Sequence, residues 1–288
     1  VEIDLLICEY KQMTKFIAVS GALCFLSAST IAVAETSKAT HDNLNSTLWY
    51  QTSAEFRANS IQTYRQAEFM LPTLLTDKKA TALTNQTANY ADLPPAIIVD
   101  IDETILDNSP SAAHEIKFNH GFDSKNWDRW VSLKQAKAVP GAVKFVNIAQ
   151  QQGVKVLFIS NRECKPRDQK SSCPQKDDTI ANLKLVGIKQ VDSNQVWLKS
   201  EQADWTSEKE SRRILAASKF RVIMLMGDDF GDFLPNVKKN ITPAQRFELV
   251  DKHEMYWGTR WFMLTNPTYG SWETILEQPK TKYLQSYE

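Results

Sequence analysis

The stretch AIIVDIDETILDNSP (residues 96–110) begins as a protein core and ends as a cluster of acids. Five apolar residues, interrupted only by Asp100, follow Pro94-Pro95 and read as a short strand buried on both faces. Its far end then carries Asp100, Asp102, Glu103 and Asp107 within eight positions. Like charges crowded against a core repel, and a carboxylate leaving water without a partner is costly. The stretch therefore calls for a cation that the apolar strand itself does not contain.

Working outward, short apolar runs recur at 154–160 (VKVLFIS), 195–199 (QVWLK), 221–229 (RVIMLMGDD) and 260–266 (RWFMLTN). Helical spacing fills the gaps between them, at 139–153 (entered at Pro140, stopped at Gly153), 176–188 and 207–218. Short buried strands alternating with helices predict an α/β domain: a Rossmann-like parallel sheet with helices on both faces. Ahead of it, 44–72 has loosely helical spacing that Pro72 is expected to end. The Trp- and Phe-rich segment at about 105–135 breaks the alternation and reads as a small, mainly helical cap inserted over the sheet edge.

Ligands of such sheets bind at the carboxyl ends of the strands. Those ends carry Asp100 and Asp102, then Ser160-Asn161-Arg162, and finally Asp228, Asp229 and Asp232 in GDDFGDF (227–233). Lys199 and Lys209 follow the third strand. Oxygen-rich sites suit Mg²⁺, and an ion between Asp100 and Asp228 turns repulsion into coordination. A turn beginning at Asp102 would let two carboxylates divide labour, one attacking phosphorus and the other handling a proton.

DIDET (100–104), ISNR (159–162), Lys209 and GDDFGDF together resemble the four ordered motifs of the haloacid dehalogenase (HAD) superfamily of phosphatases. Within it, DETILDNSP, the segment 126–145 and NPTYGSWE (266–273) are similar to the secreted class C acid phosphatases. The resemblance spans about residues 45–275 and implies a HAD fold hydrolysing small phosphate monoesters, nucleoside monophosphates among them. It implies Asp100 as nucleophile and metal ligand, and Asp102 as proton carrier that also offers its backbone carbonyl to the metal. Thr104 would support the turn, Ser160 and Asn161 would bind phosphate, and Lys209 would neutralise the phosphoryl group. Asp228 would hold Mg²⁺, and Asp232 would hold its waters or orient Lys209. Lys209 is preferred to Lys199 because Arg212 and Arg213 follow it as in the family. Asp229 stands where relatives often have Asn, adding a negative charge. Relatives often form dimers, so a homodimer is the assembly the resemblance suggests.

Other residues have plainer readings. Glu103 and Asp107 read as a solvated face or a cap. Arg162 either contacts substrate or pairs with an acid. Trp127, Trp130 and Tyr269 are candidates to stack on an aromatic substrate, with a core role favoured for Trp130 and a surface position for Tyr269. His114 and His120 read as surface histidines.

The 34 basic and 34 acidic residues cancel, so no basic field exists to hold a nucleic-acid polymer. Residues 13–34 read as a Sec signal peptide starting at Met13 and ending in Ala32-Val33-Ala34, with residues 1–12 as an upstream extension. That run is too short and too rich in Ser, Ala and Thr for a membrane anchor, and Leu23 before Cys24 argues against lipidation. The expected product is a single periplasmic or secreted domain, 35–288. In that compartment Cys164 and Cys173 most simply form one disulfide. A phosphotransferase using the same intermediate is an alternative activity. A non-catalytic storage or binding protein of this fold is another, which the full set of Asp100, Asp102, Lys209 and Asp228 argues against.

Overall fold

The computed structural model describes residues 41–86 and 89–287; the leader, Cys8 and Cys24 lie outside them. The chain runs through helices α1 (Leu44–Thr52) and α2 (Ala54–Thr76) to strand β1 (Pro95–Val99). A two-residue strand β2 (Leu106–Asp107), helices α3 (Ser109–Lys117) and α4 (Ser124–Leu133), and strand β3 (Lys137–Ala138) follow. Then come α5 (Ala142–Gln151), β4 (Lys155–Glu163), α6 (Pro174–Leu185), β5 (Val196–Lys199), α7 (Glu210–Ala217) and β6 (Arg221–Gly227). The C-terminal part holds α8 (Pro243–Lys252), β7 (Trp261–Met263) and the single turn α9 (Ser271–Thr274).

Five strands form one parallel sheet in the order β5-β4-β1-β6-β7. Successive residues of β1 serve opposite cores: Ile97 and Val99 join the cluster under α2 and α5, whereas Ile98 joins Leu157, Leu225 and Trp261 on the other face. Both faces are thus covered, which is why the strands read as continuous apolar runs. β2 and β3 pair antiparallel and close off the segment containing α3 and α4. Within 105–135 the expected helices are therefore present, framed by a minimal two-stranded ribbon.

The helical segment at 44–72 is two helices, and Pro72 does not end the second. Ser53 divides them, its hydroxyl accepting the Phe56 N–H as an N-cap. α2 then continues through Pro72 to Thr76. A proline removes one backbone donor, but the neighbouring Leu71 and Leu74 are buried, and their packing holds the helix past it. The end of α2 is capped by Arg221 from the start of β6, a fully buried guanidinium that donates to the carbonyls of Leu74, Asp77 and Ala80.

Cys164 and Cys173 are joined in a disulfide with Cα atoms 4.8 Å apart. Replacing both by Ser is expected to lower the unfolding free energy by about 2–3 kcal/mol, the loop-closure entropy of a short ring. Urea denaturation of the two proteins checks this; equal midpoints would contradict it.

Candidate active site

The strand ends converge as the α/β pattern requires. Asp100 directly follows β1, Asp228 directly follows β6, and Lys209 is the N-cap residue of α7. The carboxylates of Asp100, Asp228 and Asp232 place oxygens within 4.8 Å of one another. Asp232 reaches the group from the short 3-10 turn after β6, where its second oxygen accepts the Asp229 N–H at 3.0 Å. That approach leaves no room for a side chain at position 227, where an added Cβ would collide with Asp232; glycine is required there.

Lys209 Nζ lies between two members of the cluster, paired with Asp100 and 2.6 Å from Asp232. Lys199 lies elsewhere, 3.1 Å from Glu163. Burial alone would lower the Lys209 ammonium, but Asp100 and Asp232 hold it above its ordinary value. Burial raises the Asp100 carboxyl against the pull of Lys209, and burial with the nearby Asp100 and Asp232 charges holds Asp228 well above its ordinary value. Asp228 has no cation beside it among the described ion pairs; it accepts from the Thr104 hydroxyl and the Asn266 amide, both at 2.9 Å. Among the described ion pairs these three carboxylates share one ammonium, so the cluster holds more acid than paired base. An all-oxygen donor set with that deficit fits a hard divalent cation.

Asp102 is handled differently. Its carboxylate lines the same cavity outside the three-acid group and is gripped by Arg162, with Nη2 at 2.8 Å and Nε at 3.0 Å from Oδ1. Asn108 and Ser160 donate to the same carboxylate at 2.9 and 3.0 Å. Arg162 is therefore the partner of an acid. Ser160 is fully buried with its hydroxyl committed to Asp102, and Asn161 and Arg162 line the cavity in its place. The Asn161 amide donates to the Ser207 carbonyl, and its oxygen accepts from Arg212.

The cavity in front of these groups has a volume of about 630 Å³. Asp100, Asp102, Lys209 and Asp228 lie on its polar side, and Phe122, Trp127 and Tyr269 bring aromatic surface to it. Trp130 is not among the lining residues: its indole N–H donates to Asn108 at 2.8 Å and its ring packs on the core. Tyr269 is 41% exposed, and its hydroxyl bonds Glu103.

Glu103 corrects the reading of a solvated acid. It is only 3% exposed, has a left-handed backbone (φ +55°), and accepts the Asn108 N–H at 2.7 Å. Burial, with Asp102 nearby, pushes its carboxyl well above the ordinary range. Asp107, read as a solvated face or a cap, stands one residue before Asn108, the N-cap of α3, and accepts the Ser109 N–H at 2.9 Å. Asp229 spends its charge on structure. It accepts the Gly231 and Ser271 N–H groups and has Lys238 3.8 Å away. Burial opposes ionisation there, but Lys238 and those N–H groups hold the carboxyl below its usual value.

Residues 20–272 match the family described as HAD superfamily, subfamily IIIB (acid phosphatase). The class C acid phosphatase from Bacillus anthracis is similar in structure, with a TM-score of 0.72 at 29% identity over 85% of this chain and 98% of that one. The same enzyme solved with tungstate bound gives 0.70 at 28% identity over the same shares. Acid phosphatase 1 of Solanum lycopersicum is 26% identical over 141 residues, 48% of this chain and 51% of its own length. The Glycine max stem 28 kDa glycoprotein is 28% identical over 145 residues, 48% of this chain and 52% of its own length. The chain spans about half the length of the curated relatives it matches.

Proposed function

The chain belongs to the HAD superfamily, subfamily IIIB, the acid phosphatases, and we propose that it is a Mg²⁺-dependent phosphomonoesterase working through a phosphorylated Asp100. The observation that carries this reading is the convergence of Asp100, Asp228, Asp232 and Lys209, all but Asp228 buried, at one wall of an aromatic-rimmed cavity. An Asp100 oxygen attacks phosphorus, the bond from phosphorus to the ester oxygen breaks, and Asp102 delivers the proton that the leaving alkoxide takes. Water then attacks the phosphorus of the aspartyl-phosphate and gives its proton to Asp102, releasing inorganic phosphate and restoring Asp100.

Mg²⁺ bound by the Asp100 and Asp228 carboxylates and the Asp102 carbonyl would act as a Lewis acid toward the phosphoryl oxygens. Asp232 orients Lys209, which adds its charge to the same oxygens. Asn161 and Arg162 line the phosphate end, whereas Ser160 would reach it only by releasing Asp102. A phosphate-like oxyanion, tungstate, sits in the similar Bacillus anthracis enzyme.

Trp127 and Tyr269 favour esters with an aromatic leaving group, nucleoside monophosphates included. Secretion through the leader at 13–34, leaving one domain from Glu35 onward, belongs to the same reading, and a disulfide suits that compartment. Among the described residues no helix is long and apolar enough to cross a membrane.

Phosphate release from aryl, nucleoside and glycerol phosphates, measured with and without Mg²⁺, tests the proposal. The aromatic esters should be the better substrates, with kcat/KM about ten-fold above glycerol phosphate, the worth of one good stacking contact. No release from any monoester at any pH would overturn it.

A further inference from the structure

Helix α4 carries the aromatic Trp127 into the cavity, yet Val131 is its one buried residue. A helix with so little core contact is placed by what ties it down. Trp130 ties its inner side to Asn108, and its remaining ties lead to the disulfide loop 164–173 and to the start of α6. Arg167, within that loop, donates to both carboxylate oxygens of Asp128 at 2.7 and 2.9 Å, and to the Asp128 carbonyl at 3.2 Å. The other arm of its guanidinium pairs with Asp178 on α6. Asp178 in turn holds Lys134, the C-cap residue of α4, at 2.9 Å.

Gln175 joins the same network. It donates to Asp128 at 2.8 Å and accepts the Lys165 N–H of the disulfide loop at 3.1 Å. Asp128 directly follows Trp127, whose ring has the Arg162 guanidinium 5.9 Å from its centroid. Arg162 is the residue that grips Asp102. A continuous set of contacts therefore runs from the Cys164–Cys173 bond to the aromatic wall and on to the proton carrier.

We infer that the disulfide loop is a strap over α4, and that Arg167 is a positioning residue which sets affinity for aromatic phosphate esters by holding Trp127 in the cavity wall. A planar fork suits this role better than an ammonium, because it meets both Asp128 oxygens and Asp178 at once. Partial exposure limits the strength of the pairs, so the effect is on the placement of one helix and leaves the fold in place.

This inference rests on the phosphomonoesterase reading for its kinetic arm alone. In Arg167→Ala, KM for an aryl phosphate should rise about five-fold with kcat within about two-fold, while KM for glycerol phosphate stays put. Arg167→Lys should recover part of the loss, and Cys164→Ser/Cys173→Ser should shift KM in the same direction with Arg167 still present. Hydrogen exchange supplies a readout independent of activity: amides of 124–133 should exchange faster in Arg167→Ala, with β1 and β4 unchanged. If no ester is turned over by the unmodified protein, the functional reading fails while exchange still decides the strap. Unaltered exchange in 124–133, or equal KM shifts for the aryl and glycerol esters, would overturn the inference.

Discussion

Replacing Asp100 by Asn is expected to cut phosphate release by at least about a thousand-fold, the scale on which loss of a nucleophile removes covalent catalysis. The substitution is nearly isosteric, and the Asn oxygen can still accept from Lys209, whose ammonium also keeps Asp232 at 2.6 Å. The fold should not suffer. Asp100 is a buried carboxylate, and burial first, with the neighbouring Asp232 and Asp102 charges adding to it, raises its carboxyl against the pull of Lys209. With divalent cations chelated, Asp100→Asn should therefore melt higher than the unmodified protein, by about 1 kcal/mol of stability, because the site is organised for function at the cost of stability. A loss of activity accompanied by a fall in melting temperature would point to unfolding and contradict this account.

Removal of divalent cations is the second large effect. Chelation with EDTA should lower turnover by at least about a hundred-fold, with added Mg²⁺ restoring it, since the metal supplies much of the charge stabilisation in phosphoryl transfer. The same ion should be visible without any substrate. An ion that binds the folded protein alone raises its stability as concentration rises above the dissociation constant, so the melting temperature should climb with Mg²⁺. In Asp228→Asn that climb should be largely lost, because Asp228 is the half-buried carboxylate of the cluster with no cation beside it among the described ion pairs. Full activity in EDTA, or an equal thermal shift in the variant, would count against a metal at this position.

Much of this was legible in the chain. The apolar run at 96–101 reads as a strand covered on both faces with its acids at the carboxyl end, and β1 (Pro95–Val99) with Asp100 directly after it agrees. From there, the placement of Asp100 and Asp228 in one site follows from parallel strands ending on the same edge, whereas Lys209 is preferred to Lys199 on resemblance and only the fold shows it beside Asp100. What did not show was the origin of each partner. Glu103 looks like any surface acid until the fold brings Tyr50 and Tyr269 to it, from 53 residues before and 166 after. Asn108 and Asn266 are unremarkable polar residues in sequence, yet they orient Asp102 and Asp228. Arg162 next to Ser160 carried a real signal, but one fitting a substrate contact as well as a carboxylate partner; only the geometry separates the two.

The misread helix end has a local cause. Pro72 is a helix breaker by propensity, but Leu71 and Leu74 beside it are buried, and tertiary packing outweighs one missing hydrogen bond. Helix α8 was findable: Thr242-Pro243 with Gln245 three residues after the threonine spells a capping box, and both reciprocal hydrogen bonds form. Arg221 was hidden by its strand, where a charged first residue suggests an exposed edge and instead caps a distant helix from within the core.

The central claim, that Asp100 itself takes the phosphoryl group, has a direct test. The protein is mixed with an aryl phosphate and Mg²⁺, quenched in acid within milliseconds, digested, and the peptide containing residues 96–110 is weighed. The account predicts that this peptide gains the mass of one phosphoryl group, that fragmentation places it on Asp100, and that hydroxylamine removes it. Phosphate release at a normal rate with that peptide unmodified at every quench time, or with the phosphoryl group on another residue, would contradict it.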